Sequence, residues 1–358
     1  MNFVITRHSS PTPEGARRKL LVEPGFGRIY TDHMVTMRWT PEAGWHDGQI
    51  TPRAPFSIHP ASHVLHYAQE IFEGLKAYRT DSGAIALFRP EMNAARFARS
   101  AERLAMPPLP PPVFIEALER LVQVDREWVP EGESSLYLNP FMFGNDPYLG
   151  ARASLNYIFC VLALPVGHYF KAGARPLKVW VTETYARAAP GGTGAAKCGG
   201  NYAAALAASN EAVAHGCDHA VFLDAVEHRW VEELAGANIF FVMNDGTLLT
   251  PPLDGTILPG ITRATIIELA SAAGLPVRES RYAFNQWRSD AGSGRLREVF
   301  ACGTGATVAS IGEVASASGS FRIADGDPGP ITARIKKALF DAQRGRTAER
   351  LEWLRFVA

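Results

Sequence analysis

Ala188-Ala189-Pro190-Gly191-Gly192-Thr193-Gly194-Ala195-Ala196-Lys197-Cys198-Gly199-Gly200-Asn201-Tyr202 places one lysine inside a long run of small residues. The chain holds only seven lysines against twenty-nine arginines, and no acidic residue lies in this stretch to pair with Lys197. An amine partly desolvated in a tight site loses its proton more readily, and a neutral amine attacks a carbonyl to form a Schiff base. The glycines would let a bulky cofactor approach the backbone. A phosphate-cradling P-loop is excluded by spacing, because Ala196 and Cys198 stand where that motif needs Gly before the lysine and Ser or Thr after it. Taken alone, the stretch suits a Schiff-base lysine and an ordinary glycine-rich loop about equally.

Composition narrows the partner. With 358 residues, 47% of them hydrophobic, the chain can bury one large core or two medium ones, and two domains are expected. Formal net charge is zero, which leaves no electrostatic footprint for nucleic acid or an anionic membrane, so the expected partner is a small molecule. Cys160, Cys198, Cys217 and Cys302 lie far apart without metal-ligand spacing. Reduced thiols in a cytoplasmic protein are expected, with no metal. No apolar run reaches the roughly 20 residues of a membrane span, and the first residues lack the order of a signal peptide.

Periodicity organises the chain into two α/β halves. Residues 1–24 read as an N-terminal arm without periodicity, structure beginning near Phe26. Residues 25–169 form a smaller α/β domain, with strands at Val35-Thr36-Met37-Arg38-Trp39, Ala84 to Phe88, Ser135 to Leu138 and Tyr157 to Leu164. Helices are expected over 93–104, with Asn93 as N-cap, and over 113–128, separated by the prolines from 107 to 112. Residues 170–178 read as an interdomain linker, and 179–358 as the larger, cofactor-binding domain. There the expected strands are 178–184, 220–223, 238–242, 248–250 and 299–301, with helices at 202–215, 262–273 and 331–346.

Three further motifs suit a phosphate-bearing carbonyl cofactor. Leu258-Pro259-Gly260-Ile261-Thr262-Arg263 sets a turn before a helix, where the amides of Ile261 and Thr262 would face an anion. Ala301-Cys302-Gly303-Thr304-Gly305-Ala306 adds a second Gly/Thr turn after a strand. Glu232-Glu233 before Leu234-Ala235-Gly236-Ala237-Asn238 offers a carboxylate for a protonated pyridine nitrogen, or else a solvated pair at a strand edge. Either turn alone is most simply a turn; their conjunction with Lys197 gives them weight.

Together with Thr31-Asp32-His33-Met34, His66-Tyr67, Phe72-Glu73-Gly74-Leu75-Lys76-Ala77-Tyr78 and Phe88-Arg89-Pro90, these motifs resemble the branched-chain amino acid aminotransferases. Those are fold type IV pyridoxal-phosphate enzymes, and the likeness runs from about Gly25 to Arg346. The resemblance implies a two-domain α/β (α+β) architecture with pyridoxal 5'-phosphate at the domain interface. It implies transamination between branched-chain L-amino acids and 2-oxo acids such as 2-oxoglutarate. By matching position, Lys197 resembles the residue that bonds the cofactor and shuttles the substrate proton, and Glu233 the acid at the ring nitrogen. Tyr202 resembles the donor to the phenolate oxygen, while Arg96, Ile261, Thr262, Gly303 and Thr304 resemble the phosphate cup. Phe72, Tyr137, Asn139 and Tyr169 look like walls of the substrate pocket, with Tyr67 entering from a second subunit of a homodimer. The Thr304 and Gly305 amides would hold the α-carboxylate.

The chain departs from the family at Asn139, where arginine is usual and helps receive the distal carboxylate of glutamate. Gly305 stands where alanine is common, and Gly236-Ala237 replaces bulkier residues. A neutral amide gives a hydrogen bond about half as strong as a charge-assisted one, so weakened glutamate turnover, or reception of its carboxylate by another residue, is expected. The alternatives are a specialised member acting on an unusual 2-oxo acid or using another amino donor, a D-amino acid aminotransferase, or an aminodeoxychorismate lyase.

Overall fold

Alternating and continuous apolar runs account for most of the strands in this computed structural model, which describes residues 2–167, 175–305 and 307–358. The chain divides into two compact units. One comprises the described residues up to 167 with 196–199 and 342–358; the other comprises the described residues of 175–195 and 200–341. Two stretches that the sequence placed with the second half, 196–199 and 342–358, therefore cluster with the first.

The first unit opens earlier than expected. A short strand β1 (Val4–Ile5) pairs with β3, and helix α1 (Glu14–Val22) occupies the supposed arm. No residue of α1 is buried, which is why its sequence carries no apolar stripe. Strands β2 (His33–Thr40) and β3 (Gly44–Pro52) form a hairpin, followed by helix α2 (His63–Tyr67) and strands β4 (Glu70–Phe72), β5 (Leu75–Arg79) and β6 (Ile85–Phe88). Helices α3 (Pro90–Arg103) and α4 (Pro111–Val124) precede the long pair β7 (Ser135–Gly144) and β8 (Tyr157–Val166). The C-terminal strand Leu354–Val357 closes this nine-stranded sheet by pairing with β6; all pairings but β1–β3 are antiparallel. Phe97 of α3, Phe114 of α4 and Phe159 of β8 meet at centroid distances of 5.2–6.1 Å and fill the core.

Asn93 is not a helix cap. Helix α3 starts at Pro90, three residues earlier, because proline suits the first helical position, where its missing N–H is not needed. Asn93 is thereby turned inward, with consequences for the site below.

The second unit carries another nine-stranded sheet, this one mixed. Its elements are β9 (Leu177–Thr182), α5 (Gly199–Ala214), β10 (His219–Leu223), β11 (Val231–Leu234), β12 (Asn238–Met243), β13 (Leu248–Thr250), α6 (Ile261–Ala272) and β14 (Val277–Glu279). They continue with α7 (Phe284–Ser293), β15 (Leu296–Gly303), β16 (Thr307–Ser316), β17 (Gly319–Arg322) and α8 (Pro330–Gln343). Strand β9 lies parallel to both β10 and β16. Of the expected linker 170–178, only the last four residues are described, and Leu177 already opens β9. Phe241, Tyr282 and Trp287 pack together at 4.7–5.1 Å from Phe241 on one side of this sheet. Phe240 stacks on Phe300 at 5.1 Å.

Candidate active site

Lys197 is held by its backbone. Its N–H donates to Ser100 Oγ of α3 at 3.0 Å, its carbonyl accepts from Phe72 N at 3.0 Å, and Gly199 N donates to the Glu70 carboxylate. Ala196 and Cys198 are buried in the first unit's core, while Lys197 between them is half-buried. Its Nζ lies 4.6 Å from the Phe72 ring centroid.

Beside it, Glu73 is fully buried and bound by Arg96, which is 4% exposed: Nε to Oε1 at 2.7 Å and Nη2 to Oε2 at 2.9 Å. Asn93 Nδ2 (2.7 Å) and Gly74 N (3.1 Å) also donate to Oε2. Burial alone would push the Glu73 carboxyl up; the Arg96 guanidinium, then the Lys197 and Asn93 side chains, outweigh it and hold the group below the usual carboxylate range. Glu73 and Asn93 were not among the candidate residues. The Phe-Glu-Gly motif contained the signal, but the pairing needed α3 to begin at Pro90.

Of the remaining candidates of this unit, Phe72, Tyr137 and Asn139 fall on one sheet face. Strand β7 alternates strictly: Leu136, Leu138, Pro140 and Met142 are buried, while Tyr137, Asn139 and Phe141 are half-buried. The register sets Phe72 opposite Phe141 and Lys76 opposite Tyr137, so Gly74 falls opposite Asn139. Phe72, Lys76, Tyr137 and Asn139 therefore share a face with Phe141. A Cβ on Gly74 would overlap the Tyr137 phenol, which explains glycine there. Lys76, also absent from the candidates, is buried, and burial with the nearby Arg344 lowers its ammonium to about 8. Tyr67 ends α2 and is 43% exposed. Tyr169 lies outside the described residues.

The second unit prepares a carboxylate and an anion site. Glu233 on β11 is buried; Oε1 pairs with Arg187 Nη2 at 2.7 Å and accepts from Leu258 N at 3.0 Å, and Oε2 accepts from Asn238 Nδ2 at 2.9 Å. Arg187 also donates to the carbonyls of Gly194 and Thr256 at 2.9 and 2.7 Å. It was not anticipated, since nothing in Ala186-Arg187-Ala188 distinguishes it from a surface arginine. Asn238 Oδ1 abuts Gly260, the N-cap of α6, where a Cβ would collide with it. No side chain caps α6, so the Ile261 and Thr262 amides form an uncapped helix N-terminus, a ready anion site. Tyr202 approaches Gly236, its Cε1 3.9 Å from a Cβ placed there, and the Gly236 carbonyl lies 3.4 Å from one placed on Gly303. Tyr202, Gly236 and the turn at Gly303, Thr304 and Gly305 thus form one neighbourhood. Thr193 Oγ1 donates to Asn201 Oδ1 at 2.7 Å and Asn201 Nδ2 donates to the Thr193 carbonyl at 2.8 Å, tying the glycine loop to α5.

An amine set against an aromatic ring, a carboxylate fixed by a cation and two N–H donors, and an uncapped helix start are the parts of a phosphate-bearing cofactor enzyme. The model of the amino-transferase class IV family matches residues 70–314, so the chain belongs to that family. Within it, the similarity is to one group. The branched-chain-amino-acid aminotransferase of Mycolicibacterium smegmatis is 48% identical over 99% of this chain and 98% of its own. The branched-chain amino acid aminotransferase structure from Escherichia coli superposes with a TM-score of 0.77 at 28% identity, covering 92% of this chain and all of the other. The branched-chain aminotransferase structure from the thermophilic archaeon Thermoproteus uzoniensis, with norvaline, gives 0.76 at 27% identity, covering 91% and 100%. Among the described residues no helix is long and apolar enough to cross a membrane.

Proposed function

We propose that this chain is a cytoplasmic, pyridoxal 5'-phosphate-dependent aminotransferase that moves amino groups between leucine, isoleucine or valine and 2-oxo acids such as 2-oxoglutarate. The observation that carries the reading is the buried Glu233 carboxylate, fixed on both oxygens by Arg187, Asn238 and the Leu258 amide. A carboxylate so held is fixed in place to accept a hydrogen bond from a protonated pyridine nitrogen. The substrate class is supported by the names of the relatives at 48% identity.

When bound, pyridoxal phosphate supplies the electron sink that makes the substrate Cα–H acidic. Lys197 would supply the amine that holds the cofactor and would carry the proton to and from the substrate Cα. Glu73 and Arg96 set the charge around that amine. The Ile261 and Thr262 amides, Gly303 and Thr304 would receive its phosphate, as would Arg96, and Tyr202 would donate to its phenolate oxygen. The amides of Thr304 and Gly305 hold the α-carboxylate. Phe72, Tyr137, Asn139 and Tyr169 enclose the substrate side chain, where aromatic walls suit aliphatic groups by burial.

Tyr67 is assigned to a neighbouring protomer's pocket in a homodimer. Its exposure together with that of Leu65, Tyr148, Leu149 and Leu155 supports this, because the His63–Tyr148 stack at 6.1 Å joins the two segments into one apolar area. Light scattering of the purified protein tests it, and a monomer at micromolar concentration would rule it out.

Absorbance spectra of the purified protein before and after separate additions of L-leucine, L-isoleucine, L-valine and L-glutamate test the activity. Loss of the cofactor band with the three aliphatic amino acids is expected; no change with any of them refutes the assignment. Asn139 favours a narrower second reading, an amino donor other than glutamate, which predicts that the band survives glutamate alone.

A further inference from the structure

Of the three backbone contacts described at Lys197 and Gly199, one comes from main chain, the Phe72 amide, and two from side chains. Ser100 Oγ, on a residue 1% exposed, takes the Lys197 N–H, and the Glu70 carboxylate takes the Gly199 N–H. Glu70 opens β4 opposite Phe143 of β7, so its backbone is fixed by the nine-stranded sheet. Two residues on, Phe72 gives its amide to Lys197, and the ring of the same residue lies 4.6 Å from Nζ. Glu73 follows, and Lys197 is among the charges that lower its carboxyl. Residues 70–73 thus form a template for residues 197–199, with Glu70 at the end that meets Gly199.

Gly199 begins α5, and the first N–H groups of a helix have no partner within it, so a negative charge there is stabilised. A carboxylate accepting such an N–H makes a bond roughly twice as strong as a neutral acceptor would. A Cβ on residue 199 would run into the Glu70 carboxylate, so glycine at this place keeps the contact open. Burial raises the Glu70 carboxyl, the Gly199 amide opposes the rise, and no cation takes part. A carboxylate drawn out of water without a counter-charge is a cost to folding. What the structure shows in exchange is a hold on the chain two residues from the reactive amine.

We propose that Glu70 is a positioning residue for Lys197: by holding the Gly199 amide it fixes the backbone from which the amine is aimed. The inference rests on the aminotransferase reading, in which Lys197 is the working amine. A displacement of about 1 Å at a reacting group is enough to cost on the order of 10²-fold in rate. The loss belongs to the rate and not to substrate binding, because Phe72, Tyr137 and Asn139 keep their own strand pairing.

The leucine half-reaction of the holoenzyme, followed by loss of the cofactor band, gives each variant a maximal rate and a half-saturating concentration. Glu70→Ala should lower the maximal rate by about tenfold or more with half-saturation little changed. Glu70→Gln, whose amide oxygen still accepts, should recover most of that loss. Gly199→Ala crowds out an intact carboxylate and should also lower the rate, and the double variant Glu70→Ala/Gly199→Ala should be no slower than the slower single one. Hydrogen exchange supplies a reading independent of turnover: in Glu70→Ala the peptide spanning residues 196–200 should exchange about tenfold faster while β7 and β8 keep parent rates. A parent-like rate in Glu70→Ala, additive losses in the double variant, or unchanged exchange over residues 196–200 would overturn the proposal. Should Glu70→Ala fail to fold, Gly199→Ala decides, and a parent-like rate there overturns it. A parent holoenzyme whose band leucine leaves unchanged would sink the aminotransferase reading itself, and the proposal with it.

Discussion

Removing the Glu73 carboxylate takes two hydrogen bonds and their counter-charge from the Arg96 guanidinium, which is 4% exposed. Breaking one partner of a buried pair costs about 3–5 kcal/mol, because the remaining charge keeps its desolvation penalty. Glu73→Ala should lower unfolding free energy by that amount in urea titrations, whereas Arg96 and Glu73 replaced together should cost less than the sum. The Glu73 pKa is lowered on folding, so its contribution is complete above the unfolded value of about 4.3 and is lost as pH falls through the folded value. Lys76 runs the other way. Its pKa falls from 10.5 to about 8, so the folded state binds fewer protons between those values and stability rises with pH across that window, by roughly 3 kcal/mol. Lys76→Met should be more stable than the parent at pH 7, with the difference closing toward pH 10 in thermal melts; a constant difference would contradict the burial account. At Lys197, replacement by alanine should cut transamination by roughly 10⁴-fold or more, since one group both attaches the cofactor and moves the proton. Asn139 is a matter of charge alone: Asn139→Arg exchanges a neutral hydrogen bond for a charge-assisted one and should raise kcat/KM for glutamate about tenfold, with leucine little changed.

Elements decide which of these residues meet. The turn into helix α6 meets Glu233 through the Leu258 amide and through Asn238, whose amide donates to both Glu233 and the Leu258 carbonyl and whose oxygen abuts Gly260. Gly260→Ala would push Asn238 aside while leaving the helix formed, so the expected result is weaker cofactor binding at an unchanged circular dichroism spectrum. Unaltered cofactor affinity would show that the close approach does not matter. The same elements explain what the sequence made legible. Strands β7 and β8 and helix α4 bury one face or both, and their apolar periodicity was sufficient to find them. Strand β3 carries no apolar alternation to announce it, because Gly44-Trp45-His46-Asp47-Gly48 stands at its start and Pro52 at its end, although Ile50 anchors it in the core. Asn93 was misread as a cap because local capping preference competes with the proline rule, and the proline three residues earlier wins. Lys197, Glu233 and the two Gly/Thr turns were visible as motifs. Arg187 and Lys76 were not, since their importance comes from burial beside a partner far off in sequence, which no local pattern records.

At the scale of the whole molecule, the chain's last residues belong with its first unit, and periodicity had no means of showing it. Trp353 packs edge-on against Phe88 at 6.1 Å, its carbonyl accepts from Arg89 N at 2.8 Å, and the guanidinium groups of Arg89 and Arg350 lie 4.6 and 4.7 Å from its ring. The strand that follows covers β6, which would otherwise be a bare sheet edge carrying Ile85, Leu87 and Phe88. Replacing Trp353 by alanine should cost about 3–5 kcal/mol, in the range for a buried tryptophan. Deleting residues 348–358 should cost more and leave the edge open to association. Because these contacts lie within one unit, the loss should be selective. Hydrogen exchange in the truncated protein should accelerate across β5 and β6 while β9, β10 and β16, which draw their pairing from the second unit, keep parent-like protection. Uniform acceleration through both units would mean that they unfold as one cooperative block, and the C-terminal strand would then be a support of the whole chain and not of its first unit alone.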